Sequence, residues 1–106
     1  MFNIQGLMQQ AQMVQKKMKE TQDRLALETR EGQSGGGLVK VTLNGKSEMQ
    51  KISIDKSLLN PEETDILEDL ILTAYTDAHN QIEQMQEEGM KEAAGGVNFG
   101  GLKIPF

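Results

Sequence analysis

The chain has 106 residues, a formal net charge of −5 and no cysteine. This length supports one domain with a thin core, so self-association is expected to bury what a monomer would leave exposed. No disulfide framework, thiol chemistry, signal peptide or membrane span of roughly 18–20 apolar residues is indicated, and we expect a soluble, cytoplasmic protein.

The net charge conceals an asymmetry along the chain. Residues 1–60 carry a net charge of +3, whereas residues 61–106 carry a net charge of −8. An acidic chain can therefore present a basic surface if its two halves face different ways. Charge alone favours a simpler interpretation, in which both halves are solvated helix faces.

Residues 4–27 predict an amphipathic helix. Its apolar positions are separated by four and three residues in turn, which is the spacing of a coiled-coil seam. The seam consists of Leu7, Ala11, Val14, Met18, Thr21 and Leu25. Acidic residues four positions further on predict ion pairs of Lys16 with Glu20 and of Lys19 with Asp23.

Residues 27–34 lose the helical period and alternate instead, which predicts a short edge strand with one polar side. Three glycines at positions 35–37 predict a flexible connection to the next element.

A β-hairpin is predicted at residues 38–54. Val39, Val41 and Leu43 alternate with polar residues, as in a strand with one apolar face. Asn44-Gly45 follows, and both residue types tolerate the positive φ that tight hairpin turns require. We expect the flanking helices to cover the apolar face of the hairpin.

A second helix is predicted to begin sharply after residue 60. Asn60 can cap it, Pro61 suits its first position, and Glu62 and Glu63 favour the positive end of the helix dipole. Its apolar stripe keeps helical spacing over Leu67, Leu70, Ile71, Ala74, Ala78, Ile82 and Met85.

The order of elements is therefore α-β-β-β-α, an α+β fold with a three-stranded antiparallel sheet and two long helices. We expect residues 1–94 to form a single domain, followed by a glycine-rich tail at residues 95–106. That tail is expected to be flexible, and the alternative is that its apolar end docks on a partner or on its own dimer.

The seam of the first helix is expected to pack on the second helix, within a subunit or across a dimer. The packing residues are Leu7, Ala11, Val14, Met18 and Leu25 on the first helix, with Leu67, Ile71, Ala74, Ala78 and Ile82 on the second.

Several patterns that suggest chemistry are weak in this chain. Gly45-Lys46-Ser47 resembles the end of a phosphate-binding loop, but a strand is predicted after the serine where that motif needs a helix. His79 is the only histidine, and a metal site needs three or four convergent ligands. No serine has a nearby histidine and acid in an arrangement that suggests nucleophilic catalysis. We therefore expect no enzyme, cofactor, metal or small-molecule substrate, and no membrane binding.

The remaining candidates are cations on the first helix and the hairpin, because exposed Lys and Arg can displace counterions from phosphate. No aromatic residue interleaves with them, so a nucleic-acid surface here would contact the backbone without reading bases. The candidate DNA-contacting residues are Lys16, Lys17, Lys19 and Arg24, with Lys40, Lys46 and Lys51 secondary.

Segments spread over nearly the whole chain carry a family resemblance. They are Met1-Phe2, Leu7-Met8, residues 9–13, 32–45 and 54–59, Leu67-Glu68-Asp69-Leu70, residues 74–78 and Pro105-Phe106. On these segments the chain resembles the YbaB/EbfC family of bacterial nucleoid-associated DNA-binding proteins. The glycine-rich run into Leu38-Val39-Lys40-Val41, together with the Leu-Glu-Asp-Leu helix, is a fairly specific combination.

The resemblance implies an intertwined homodimer that binds duplex DNA in the nucleoid, alters its conformation and influences gene expression. It also implies helices that project from a shared sheet body like tweezers. The acidic second helix departs from this picture, because its exposed face would repel phosphate. The rival interpretation is a protein-interaction or prefoldin-like chaperone module without direct DNA contact.

Overall fold

The computed structural model describes residues 3–95 of the chain. It contains two helices, α1 (Ile4–Leu27) and α2 (Thr64–Gly95), and three strands, β1 (Thr29–Ser34), β2 (Val39–Asn44) and β3 (Met49–Ile54). The strands form one antiparallel sheet in the order β1-β2-β3. The predicted α+β fold and the order of its elements are confirmed. Of the predicted tail, only Gly95 lies inside the described residues.

Helix α1 has the bounds that its periodicity predicts. The side chain of Asn3 caps it, since Oδ1 accepts a hydrogen bond from the Gly6 N–H at 3.2 Å. The helix ends where Glu28 turns extended and the chain enters β1.

Helix α2 begins three residues later than the sequence predicts. Asn60 does not cap it, because its Oδ1 accepts a hydrogen bond from the Glu62 N–H at 3.0 Å and its carbonyl accepts from Glu63 at 3.0 Å. These bonds close a separate turn, so the helix begins at Thr64. Such local side-chain bonds compete with helix formation, and here they prevail.

The core lies between α2 and one face of the sheet. Val39, Val41 and Leu43 of β2 are completely buried against the α2 stripe. Ala74 and Ala78 approach β1 so closely that a Cβ on Gly32 would collide with their backbone. Of the predicted α2 packing residues, Ala74, Ala78 and Ile82 are buried, and Leu67 and Ile71 are partly buried at the edge of this core.

Strand β3 is the uncovered part of the sheet. Helix α2 lies over β1 and β2, and among residues 3–95 the expected cover over the second strand of the hairpin is missing. Ile52 is consequently 43% exposed although it pairs with the fully buried Val41.

The β2–β3 turn is wider than Asn44-Gly45 predicts. Asn44 Oδ1 accepts hydrogen bonds from the N–H groups of Lys46 at 2.9 Å and Glu48 at 3.0 Å. The positive φ falls on Ser47, at 61°, and not on the predicted pair. The connection Gly35–Gly37, predicted as flexible, forms a short 3-10 turn in which all three glycines have positive φ.

Candidate nucleic-acid interface

Helix α1 projects beyond the sheet as part of a two-helix arm. Its last turn rests against the β2–β3 turn, where a Cβ on Gly45 would collide with the Leu25 carbonyl. Helix α2 runs along the sheet from Leu70, which accepts from Ser34, to Gln86, which donates to the Gly45 carbonyl. It then continues to Gly89, which Leu25 contacts. The end of α2 therefore lies antiparallel to the end of α1.

Most of the α1 seam is not fully buried by the described part of the chain. Thr21 and Leu25 are its only buried members, Val14 and Met18 are half-buried, and Leu7 is 48% exposed. Ala11 is exposed as well. Among the residues that the structure describes, the packing predicted between this seam and α2 is thus closest at the Leu25 end, and packing across a dimer stays a prediction.

The cations of α1 are exposed and unpaired within the described part of the chain. Lys16, Lys17, Lys19 and Arg24 are all exposed. The ion pairs among residues 3–95 join Arg30 to Glu28, His79 to Glu83 and Lys91 to Glu87, and none includes an α1 cation. The predicted pairs of Lys16 with Glu20 and Lys19 with Asp23 are not formed, so these ammonium groups are free to meet another anion.

Helical geometry separates these cations into two groups. At about 100° per residue, Lys16 and Lys19 lie on the side of α1 opposite Thr21, away from α2. Lys17 and Arg24 lie beside the seam, on one flank of the arm.

The sheet adds cations on its open face. Side chains alternate along a strand, and Val39, Val41 and Leu43 face α2, so Lys40 must face the other way. In the sheet register Lys40 pairs with Ser53 and Thr42 pairs with Lys51, which places the two exposed lysines on this face, diagonal to each other. Glu31 shares the face through its pairing with Thr42. Lys46 is exposed in the turn between sheet and arm.

The charges are therefore divided between two layers. The layer formed by α1 and the sheet, residues 4–54, has a net charge of +3. Helix α2 carries eight acidic residues and one lysine over its length. A polyanion is attracted to the first layer and repelled by the exposed side of the second.

A serine–histidine–acid contact was missed by the sequence prediction. The Ser47 hydroxyl lies 3.2 Å from His79 Nδ1, and His79 Nε2 lies 3.0 Å from Glu83 Oε1. Tyr75 stacks on the imidazole with a centroid distance of 6.0 Å. The sequence did not reveal this contact, because Ser47 and His79 are far apart in sequence and meet only when the turn packs on α2.

This contact holds the β2–β3 turn against α2. Glu83 is 64% exposed, and the cleft between α1, α2 and the turn, about 420 Å³, is lined by Lys46 and Gln86 but not by Ser47 or His79. The bonds therefore fix the turn against α2.

The described residues hold neither a metal cluster nor a membrane-spanning helix. Within residues 3–95, no group of three or more His, Cys, Asp or Glu side chains is arranged to hold a metal ion. None of the helices in this part of the chain has the length and apolar character needed to cross a bilayer.

Comparison with known proteins identifies the family. The model of the YbaB/EbfC DNA-binding family matches residues 1–97. The chain belongs to the YbaB/EbfC family. This confirms the resemblance in the sequence, and the family is one of DNA-binding proteins, not of enzymes.

Relatives and a solved structure agree with this assignment. Proteins named nucleoid-associated protein from Granulibacter bethesdensis and Maricaulis maris are each 47% identical to this YbaB/EbfC chain, over 100% of both chains. The crystal structure of an uncharacterized protein from Helicobacter pylori is 23% identical, with a TM-score of 0.69, over 83% of this chain and 92% of that one. This last likeness shows the fold alone.

Proposed function

We propose that this YbaB/EbfC protein is a non-enzymatic nucleoid-associated protein that binds duplex DNA as a homodimer with low sequence specificity. The single observation that carries the proposal is the set of exposed, unpaired cations on the α1 and sheet layer, opposite an acidic α2. The family and the names of its relatives support the same partner.

Phosphate neutralisation is the role assigned to the cations. Lys16, Lys17, Lys19 and Arg24 form the main group, with Lys40, Lys46 and Lys51 secondary. Lys16 and Lys19 point away from α2, and so does the open face of the sheet. One duplex lying along this layer would therefore contact both α1 and the sheet. Lysine is a point charge that contacts backbone phosphate, so such a surface discriminates little between base sequences.

The two outer edges of the sheet differ in their accessibility, and this difference supports a homodimer that forms through β3. The outer edge of β1 is blocked, because Asp77 Oδ2 accepts from the Gln33 N–H at 3.0 Å and Gln81 Nε2 donates to the Glu31 carbonyl at 2.9 Å. On the other side, Asp55 N–H donates to the Leu38 carbonyl, so alternation directs the N–H groups of Ile52 and Ile54 outwards. An unprotected edge beside a partly exposed apolar face favours pairing with another chain.

The consequences in the cell follow from this mode of binding. A protein that coats phosphate with little base preference acts in the cytoplasm on the nucleoid, where it alters DNA conformation and so influences gene expression. Residues 1–94 act as the single binding domain.

A second candidate function is favoured by one observation. The free part of α1 exposes large apolar side chains, among them Leu7 at 48% and Met13 at 71%, as a chaperone or protein-interaction arm would. Under this alternative, clients bind the apolar positions and DNA is not contacted.

The test changes Lys16, Lys17 and Lys19 together to Gln and measures duplex binding by gel shift. Loss of about six ammonium–phosphate contacts in a dimer is expected to weaken binding at least about a hundredfold at 0.1 M salt. Lys91→Gln is the matched control, because Lys91 lies on α2 with its Nζ 3.9 Å from Glu87 and should leave binding unchanged. Unchanged retention by the triple variant contradicts the proposal and favours the chaperone-like alternative.

A further inference from the structure

The apolar seam of α1 beyond Thr21 is only partly covered, although it continues the line of two buried positions. Leu7 and Ala11 are exposed, and Val14 and Met18 are half-buried. An isolated helix of four turns is marginal in water, and most helical stability in proteins comes from packing of an apolar face. Gln-rich residues 4–15 carry no charge, so ion pairs do not replace that packing.

The end of α2 indicates which segment reaches this seam. Because Leu25 lies against Gly89 and the helices run antiparallel, Gly95 lies near the level of residue 19 of α1. Ala93, one helical turn beyond Gly89, is buried on the same side of α2. From that level α1 extends about 22 Å further, to Ile4.

The sequence after Gly95 suits this position in length and in chemistry. Eleven residues span up to roughly 36 Å when extended, which exceeds the uncovered length of α1. They include five apolar side chains and a single charged one, Lys103. The apolar residues are Val97, Phe99, Leu102, Ile104 and Phe106.

We propose that residues 97–106 dock along the seam of α1 in the same chain, covering Leu7, Ala11, Val14 and Met18. The occupant is this chain's own C-terminal segment, which replaces the expectation of a flexible tail. Docking stabilises the free part of α1 and leaves Lys16 and Lys19, on the opposite side, exposed. It does not depend on DNA binding and is tested without DNA.

Hydrogen–deuterium exchange of α1 tests the docking. Changing Phe99, Leu102 and Ile104 together to Ser should speed amide exchange at residues 8–18 by at least about tenfold, because the packing that holds this helix closed is removed. The control carries Asn98→Ser and Lys103→Gln, which keep the apolar side chains, and should exchange as the unchanged protein does. Equal exchange in the triple variant and the unchanged protein overturns the proposal.

A spin label distinguishes docking within the chain from docking on a second copy. The chain has no cysteine, so Asn98→Cys gives a single attachment point. Two samples are compared. In the first, one chain carries both the spin label and the isotope label; in the second, spin-labelled chains are mixed with separate isotope-labelled chains. Attenuation of the Val14 and Met18 amide signals in the first sample, and not in the second, supports the proposal. Attenuation seen only in the mixed sample overturns it, since a second copy then covers the seam.

Discussion

A glycine is required at position 45 because the backbone at the end of α1 packs closely against it. Asn44-Gly45 marks the turn correctly in the sequence, but the positive φ that usually explains such a pair falls on Ser47. The space of a Cβ at Gly45 is filled by the Leu25 carbonyl and by Ala26. This contact and the one between Ser47 and His79 join residues distant in sequence, so no local pattern could predict them.

Gly45→Ala should therefore destabilise the protein by about 1–3 kcal/mol, because its Cβ forces backbone atoms apart. Urea unfolding at a fixed protein concentration measures the change. Gly6→Ala is the matched control, since its Cβ would meet only the Asn3 side chain, within a helix that favours Ala. Equal urea unfolding midpoints for the two variants would contradict the close contact between the end of α1 and the β2–β3 turn.

Helices and strands were predictable to the extent that their signals are local. The bounds of α1 match because its period is continuous and no proline interrupts it. The predicted start of α2 was wrong because an Asn at position 60 can either cap a helix or close a turn. The hydrogen bond from the Glu62 N–H to Asn60 shows that it closes a turn. Which element covers each strand depends on packing, so the exposure of β3 was not foreseen.

Ile52→Lys tests the role assigned to the β3 edge. A charge at this partly exposed apolar position should prevent edge pairing and change a dimer into a monomer at micromolar concentration, measured by analytical ultracentrifugation. Ser53→Lys places the same charge on the same strand but on the open face, and should leave the dimer intact. A dimer that persists with a lysine at position 52 would place the interface elsewhere.

At the scale of the whole molecule, the decisive property is the division of charge between the two layers. The asymmetry between residues 1–60 and 61–106 was visible in the sequence. The separation of these charges in space was not visible there, because only the fold puts α1 and the sheet in one layer and α2 in the other. The individual DNA-contacting residues remain predictions, since lysines that meet phosphate follow no strict sequence motif.

The salt dependence of duplex affinity tests the central claim most directly. Three lysines used twice in a homodimer, Lys16, Lys17 and Lys19, make about six phosphate contacts, and log affinity should then fall against log salt with a slope near −5. A slope shallower than about −2 would contradict the account, because too few phosphates would be neutralised for this cluster to bind DNA.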